Sequence, residues 1–98
     1  MSLLNLTVST EAAKWYKEDL DIEDTAQLRF FVRYGGVGGK IPGFSLGVKL
    51  DKPKAIYAST EVENITLYIE EADAWYFENS DLAVRLDKKR NEPIIEYV

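Results

Sequence analysis

Any chemistry in this 98-residue chain must come from oxygen and amine groups, because the sequence contains no histidine and no cysteine. The commonest general base and the thiolate nucleophile are therefore missing. Zinc, copper and iron–sulfur centres are built on imidazole and thiolate ligands. The chain alone cannot supply them, and only oxygen ligands suited to magnesium, calcium or manganese remain. Acid–base work would fall to carboxylates, lysine or tyrosine, and the hydroxyls of Ser45 and Ser59 have no base identifiable beside them. The expectation is a protein that is not an enzyme, with no catalytic residue, no metal and no cofactor.

The residues with most potential for binding are basic side chains interleaved with glycines. Net charge is −5, but residues 29–54 set Arg29, Arg33, Lys40, Lys49, Lys52 and Lys54 against Asp51 alone, while residues 55–84 hold acids and no base. That arrangement predicts a positive patch on an otherwise acidic protein, able to attract an acidic partner or a small anion. Within it, the amides of Gly35, Gly36, Gly38 and Gly39 beside Arg33 and Lys40 form a candidate anion-binding concavity. No Gly-Lys-Ser/Thr ending follows, so a pliable hairpin tip in solvent explains the same residues. Arg29, Arg33 and Lys49 fall on one strand face and read either as a partner-binding surface or as an ordinary solvated one. Tyr76, in the run Trp75-Tyr76-Phe77, is the candidate interface residue, since one short helix cannot bury three successive rings on one side. Glu70, Glu71 and Asp73 lack the spacing of a calcium loop and suit the first turn of a helix. Lys88-Lys89-Arg90 is too small a footprint for nucleic acid.

The elements that must position these residues follow from periodicity. In Leu28–Tyr34 the side chains of Phe30, Val32 and Tyr34 share one face, and in the run from Phe44 to Leu50 those of Phe44, Leu46, Val48 and Leu50 do. The two runs predict a hairpin with an apolar face turned to the core. Upstream, Leu6–Val8 reads as a strand and Ser9 or Thr10 as the cap of an amphipathic helix with Ala12, Trp15, Tyr16 and Leu20 on its stripe. Downstream, Ala55–Ser59 is a strand or loop, Ile65–Ile69 a strand, and Glu70–Phe77 contains a short helix. Leu82–Leu86 and Pro93–Val98 are two more strands, joined by a polar turn. This order predicts one small α+β domain over residues 1–98, with a mainly antiparallel or mixed sheet, an N-terminal amphipathic helix and a second short helix. The composition, 46% hydrophobic and 30% charged, is that of a globular protein. No apolar run approaches the ~18 residues of a membrane span, and no signal-peptide pattern opens the chain, so a cytoplasmic location is expected.

Several segments together resemble a family: Arg33-Tyr34-Gly35-Gly36, Gly43-Phe44-Ser45-Leu46-Gly47, Ile69-Glu70-Glu71, Trp75-Tyr76-Phe77 and Asn91-Glu92-Pro93. Across nearly the whole chain they are similar to HesB-like iron–sulfur cluster biosynthesis proteins, and most of all to the small YneR-like branch. In that family, cluster carriers place a cysteine where this chain has Val37, and a Cys-Gly-Cys after the turn where this chain runs Asn91-Glu92-Pro93-Ile94-Ile95. The resemblance implies a HesB-like fold and a cysteine-less accessory or adaptor whose partner in iron–sulfur assembly owns the thiolates. The alternative from the residues themselves is a binding module that uses the basic glycine-rich hairpin. Neither reading involves a membrane or nucleic acid, and the oligomeric state is not legible.

Overall fold

Seven strands form two sheets in the computed structural model, which describes residues 4–36, 39–78 and 80–98. In chain order the elements are β1 (Leu6–Val8), α1 (Thr10–Asp19), β2 (Ala26–Tyr34), β3 (Phe44–Leu50), β4 (Ile56–Val62), β5 (Ile65–Glu70), a 3-10 turn (Glu71–Asp73), α2 (Ala74–Phe77), β6 (Leu82–Asp87) and β7 (Glu92–Tyr97). This is the expected α+β class with two helices.

The local chemistry of α1 explains both of its ends. The Ser9 hydroxyl accepts a hydrogen bond from the Ala12 amide at 3.1 Å, which satisfies one donor of the first turn. At the other end Asp21 takes a positive φ of 53°. The Ile22 amide then bonds back to the Lys17 carbonyl and the Asp21 amide to Glu18, a Schellman closure. The buried stripe is Ala12, Ala13 and Tyr16, while Trp15 and Leu20 are partly covered. The Trp15 indole leaves the core edge to donate to the Asn91 carbonyl at 2.6 Å.

The larger sheet runs β3-β2-β5-β4 and the smaller β1-β6-β7. The two runs pair as the expected hairpin, in the register Leu28 with Leu50 through Tyr34 with Phe44. Strand β5 lies parallel to β2 and antiparallel to β4. The β4–β5 connection is a two-residue turn in which Glu63 and Asn64 both have positive φ, the geometry that suits the twist of a hairpin. The stretch Ala55–Ser59, read as a strand or a loop, is strand from Ile56 onward and continues to Val62. Strands β1 and β6 are parallel, and β7 returns antiparallel along β6.

Leu28, Phe30, Ile65, Leu67 and Ile69 of the larger sheet join Leu6, Val8, Leu82 and Val84 of the smaller one in a core that also takes Tyr16, Tyr76 and Phe77. The expectation that Tyr34 and Leu50 turn inward is corrected. They are 91% and 54% exposed, because they end their strands beyond the edge of that core. No helix among the described residues is long and apolar enough to cross a membrane.

Glu70 ends β5 with a buried carboxylate that accepts the amides of Lys54 at 2.8 Å and Ala55 at 3.0 Å, fastening the β3–β4 connection to the sheet. Those two bonds, aided by the charge of Arg29, hold the carboxyl below the usual glutamate range. Because the folded pKa is the lower one, this stabilisation is present above the unfolded value of about 4.3. It drains away as pH falls through the folded value. Glu70→Gln, which leaves one amide facing another, is expected to cost about 1–3 kcal/mol at neutral pH. It should also flatten the loss of stability below about pH 4, as read by urea denaturation across pH; an unchanged acid limb would show that the bonds carry no such weight.

Candidate functional site

The structure places the candidate binding residues around the hairpin and gives most of the cations internal partners. The Arg29 guanidinium meets Asp73 at 2.9 Å and Asp51 at 3.4 Å. Lys49 lies 3.9 Å from Asp51 and 4.8 Å from the centre of the Phe31 ring. Lys40 pairs with Glu78 at 3.1 Å. Asp51 is held below the usual carboxylate range, first by the Lys52 amide and then by Arg29 and Lys49. Arg33 is exposed, is without an ion pair among the described residues, and rests its stem over Gly47. The block of positive charge legible along the sequence is thus largely neutralised in space by acids from other segments.

Gly35 and Gly36 turn with positive φ at the end of β2. Gly38 lies outside the described residues. Gly39 is required by close approach, since a Cβ there would collide with the Phe44 carbonyl oxygen and come within 2.6 Å of the Tyr76 hydroxyl. That hydroxyl accepts the Lys40 amide at 2.6 Å and lies 3.2 Å from the Tyr97 hydroxyl.

Tyr76 as the exposed interface residue is corrected on this geometry: it is fully buried, and Trp75, at 52% exposure, is the ring turned outward. Successive residues of a helix point about 100° apart, so the spacing of the three rings leaves open which one faces out. The choice is made by Lys40 and Tyr97, remote in sequence, which satisfy a tyrosine hydroxyl inside. Burial, and then the bond to Tyr76, raise the Tyr97 pKa above the usual tyrosine range.

The rings form a chain to the surface. Trp75 meets Phe44 edge to face at 5.4 Å, and Phe44 meets Tyr34 at 5.7 Å. Tyr34, Phe44 and Trp75 therefore present an aromatic patch where β2 ends and where β3 and α2 begin. Large rigid rings of this kind, anchored behind by Tyr76 at 5.9 Å from Trp75, are the residue types that concentrate binding energy at protein interfaces. An open cleft of about 550 Å³ is lined by Glu11, Lys14, Trp15, Glu18, Asp19, Leu86 and Asn91. Among the described residues no group of three acidic, histidine or cysteine side chains is placed to hold a metal. Glu70 instead binds backbone amides and Asp73 binds Arg29.

A small α+β protein with a surface patch of anchored aromatic rings is the class that fold and geometry define. No family model matches the chain. It is 48% identical over 96% of its length to the pyruvate dehydrogenase inhibitor of Bacillus subtilis, of which it covers 99%. An uncharacterised protein of Staphylococcus saprophyticus is 34% identical over 83% of this chain and 86% of its own. The chain belongs to the family of the Bacillus pyruvate dehydrogenase inhibitor. A solution structure of an Aquifex aeolicus protein shares the fold, with a TM-score of 0.55 over 98% of this chain and 94% of that one at 17% identity.

These findings overturn the resemblance to HesB-like iron–sulfur proteins and its YneR-like branch, together with the accessory role it implied, because the named relative is an inhibitor rather than a cluster protein. The alternative, a basic glycine-rich hairpin module, is set aside with it, since acids of the same chain already occupy Arg29, Lys40 and Lys49.

Two substitutions test the tyrosine anchor. Tyr76→Phe strands the Lys40 amide and is expected to cost about 1–3 kcal/mol in urea denaturation. Gly39→Ala, which forces the loop off the hydroxyl, should cost a similar amount. Stability unchanged in both would remove the anchor from the account.

Proposed function

We propose that this chain is a non-catalytic protein inhibitor of pyruvate dehydrogenase, acting in the cytoplasm through surface contact with the enzyme. The observation that carries the reading is the 48% identity to the Bacillus subtilis inhibitor along practically the full length of both chains. The geometry supports it in kind. An inhibitor of this sort needs a preformed surface rather than converging acid and base groups, and Tyr34, Phe44 and Trp75 offer one whose rings are already packed against each other. Little side-chain freedom is then lost on contact, which lowers the entropic cost of association. The partner is thus the dehydrogenase itself, contacted at the aromatic patch.

The test is inhibition of pyruvate oxidation by a purified pyruvate dehydrogenase complex. The chain should lower the rate in a saturable way. Trp75→Ala with Tyr34→Ala should raise the inhibitory concentration at least tenfold, as loss of a hot spot worth about 2 kcal/mol requires. The double variant should melt within a few degrees of the parent, since both rings are largely outside the core. A dehydrogenase unaffected by the unmodified chain overturns the function. Inhibition that survives the double substitution overturns only the patch.

A further inference from the structure

Strand β3 is the edge of the larger sheet, and its free side can be read from two hydrogen bonds. The Asp51 amide donates to the Gln27 carbonyl at 3.2 Å, and the Gly35 amide donates to the Gly43 carbonyl at 2.7 Å. With the register Leu28–Leu50 through Tyr34–Phe44, these bonds place the hydrogen-bonded pairs at Arg29–Lys49, Phe31–Gly47 and Arg33–Ser45. The amides and carbonyls of Leu46, Val48 and Leu50 consequently point away from β2. They find no partner among the described residues.

The other sheet edges are blunted in recognised ways. Strand β4 changes register between Ile56 and Ala58, β7 carries Pro93 near its start, and β1 is three residues long. Strand β3 has seven residues in continuous register, no proline and no bulge. A regular strand with open backbone groups is a template for another strand.

We propose that this edge pairs antiparallel with β3 of a second copy of the chain, about a two-fold axis at Gly47, joining the two larger sheets into one continuous sheet. The choice of a second copy rests on self-complementarity, which a two-fold interface demands. Centred on Gly47, the register sets Leu46 opposite Val48 and Phe44 opposite Leu50. It satisfies the outward backbone groups of Leu46 and Val48 in hydrogen-bonded pairs and lets the Leu50 amide donate to the Phe44 carbonyl, the Phe44 amide being already bonded to the Ile41 carbonyl at 3.1 Å. These apolar side chains are the ones the isolated chain leaves half-covered, with Leu50 54% exposed. On the outer face Lys49 lies opposite Ser45, so no like charges meet. Gly47 lies opposite Gly47. The Phe31 ring lies across its own Gly47, where a Cβ would come within 2.6 Å of it, and two absent side chains leave the space above the axis to the two Phe31 rings. This pairing does not depend on the inhibitor reading; it shares Phe44 with the aromatic patch but is made by the backbone of β3, not by Tyr34 or Trp75.

Sedimentation of the full chain at tens of micromolar tests it. The expected species has twice the chain mass. Val48→Pro, whose lost amide bonds nothing within the chain, should weaken the dimer at least tenfold while leaving the far-ultraviolet circular dichroism intact. Leu50→Lys, at a position already half exposed, is a second route to the monomer. Under mild oxidation, Leu46→Cys with Val48→Cys should yield a covalent dimer, since these positions face each other across the axis. A single chain mass for the parent protein overturns the proposal. So does a dimer indifferent to both edge substitutions. If the parent is monomeric but the amides of Leu46, Val48 and Leu50 gain hydrogen-exchange protection when pyruvate dehydrogenase is added, the edge seats an enzyme strand instead, and the second copy is ruled out.

Discussion

The buried hydroxyl of Tyr76 is the point on which three separate parts of the chain depend. It accepts the Lys40 amide from the hairpin loop, it sits beside Tyr97 of the last strand, and its ring is carried by the four-residue helix α2. So short a helix has no stability of its own, since helix nucleation is costly and propagation barely begins within one turn. Burial of Tyr76 and Phe77 holds it in place. Because the tyrosine faces inward with its polar end satisfied, the neighbouring Trp75 has to face outward. One internal hydrogen-bond network thereby determines the external aromatic surface, and the glycine at position 39 gives the hydroxyl room to reach the loop.

Charge plays a different part from the one its order along the sequence suggests. Arg29 belongs to a stretch with a single acid, yet in the fold it lies between Asp51 and Asp73, and Glu70 contributes to the same neighbourhood. The cation is far less costly to cover there than it would be alone, and removing either acid would leave it partly unpaired. The exposed Lys40–Glu78 pair is worth at most about 1 kcal/mol, so the Tyr76 hydroxyl is the stronger tether on that loop. The basic hairpin is thus mainly framework, and the exposed rings are better suited to recognition.

Much of the fold was legible because it rests on contacts close in sequence. Ser9, one of the two residues read as a cap, caps α1, and the two period-two runs pair as the expected hairpin. The alternation in β5 places Ile65, Leu67 and Ile69 inside as expected. What sequence could not supply was long-range. The parallel pairings of β2 with β5 and β1 with β6 join segments whose separate patterns say nothing of each other. The outward turn of Trp75 rather than Tyr76 depends on Lys40 and Tyr97. The family resemblance led astray for a related reason. It rested on glycine and aromatic segments that serve the fold, while the thiolates that define cluster chemistry are absent from this chain. Fold and activity are separable properties, and segments that serve a fold do not carry a site with them.

Whether the outward indole is what meets the enzyme decides the proposed function. The chain has two tryptophans, Trp15 with its indole bonded to Asn91 and Trp75 at the aromatic patch, and each gives its own indole N–H resonance. On titration with pyruvate dehydrogenase, the Trp75 resonance is expected to shift or broaden while that of Trp15 holds its position. Movement of Trp15 alone, or of neither, would contradict the assignment of this surface.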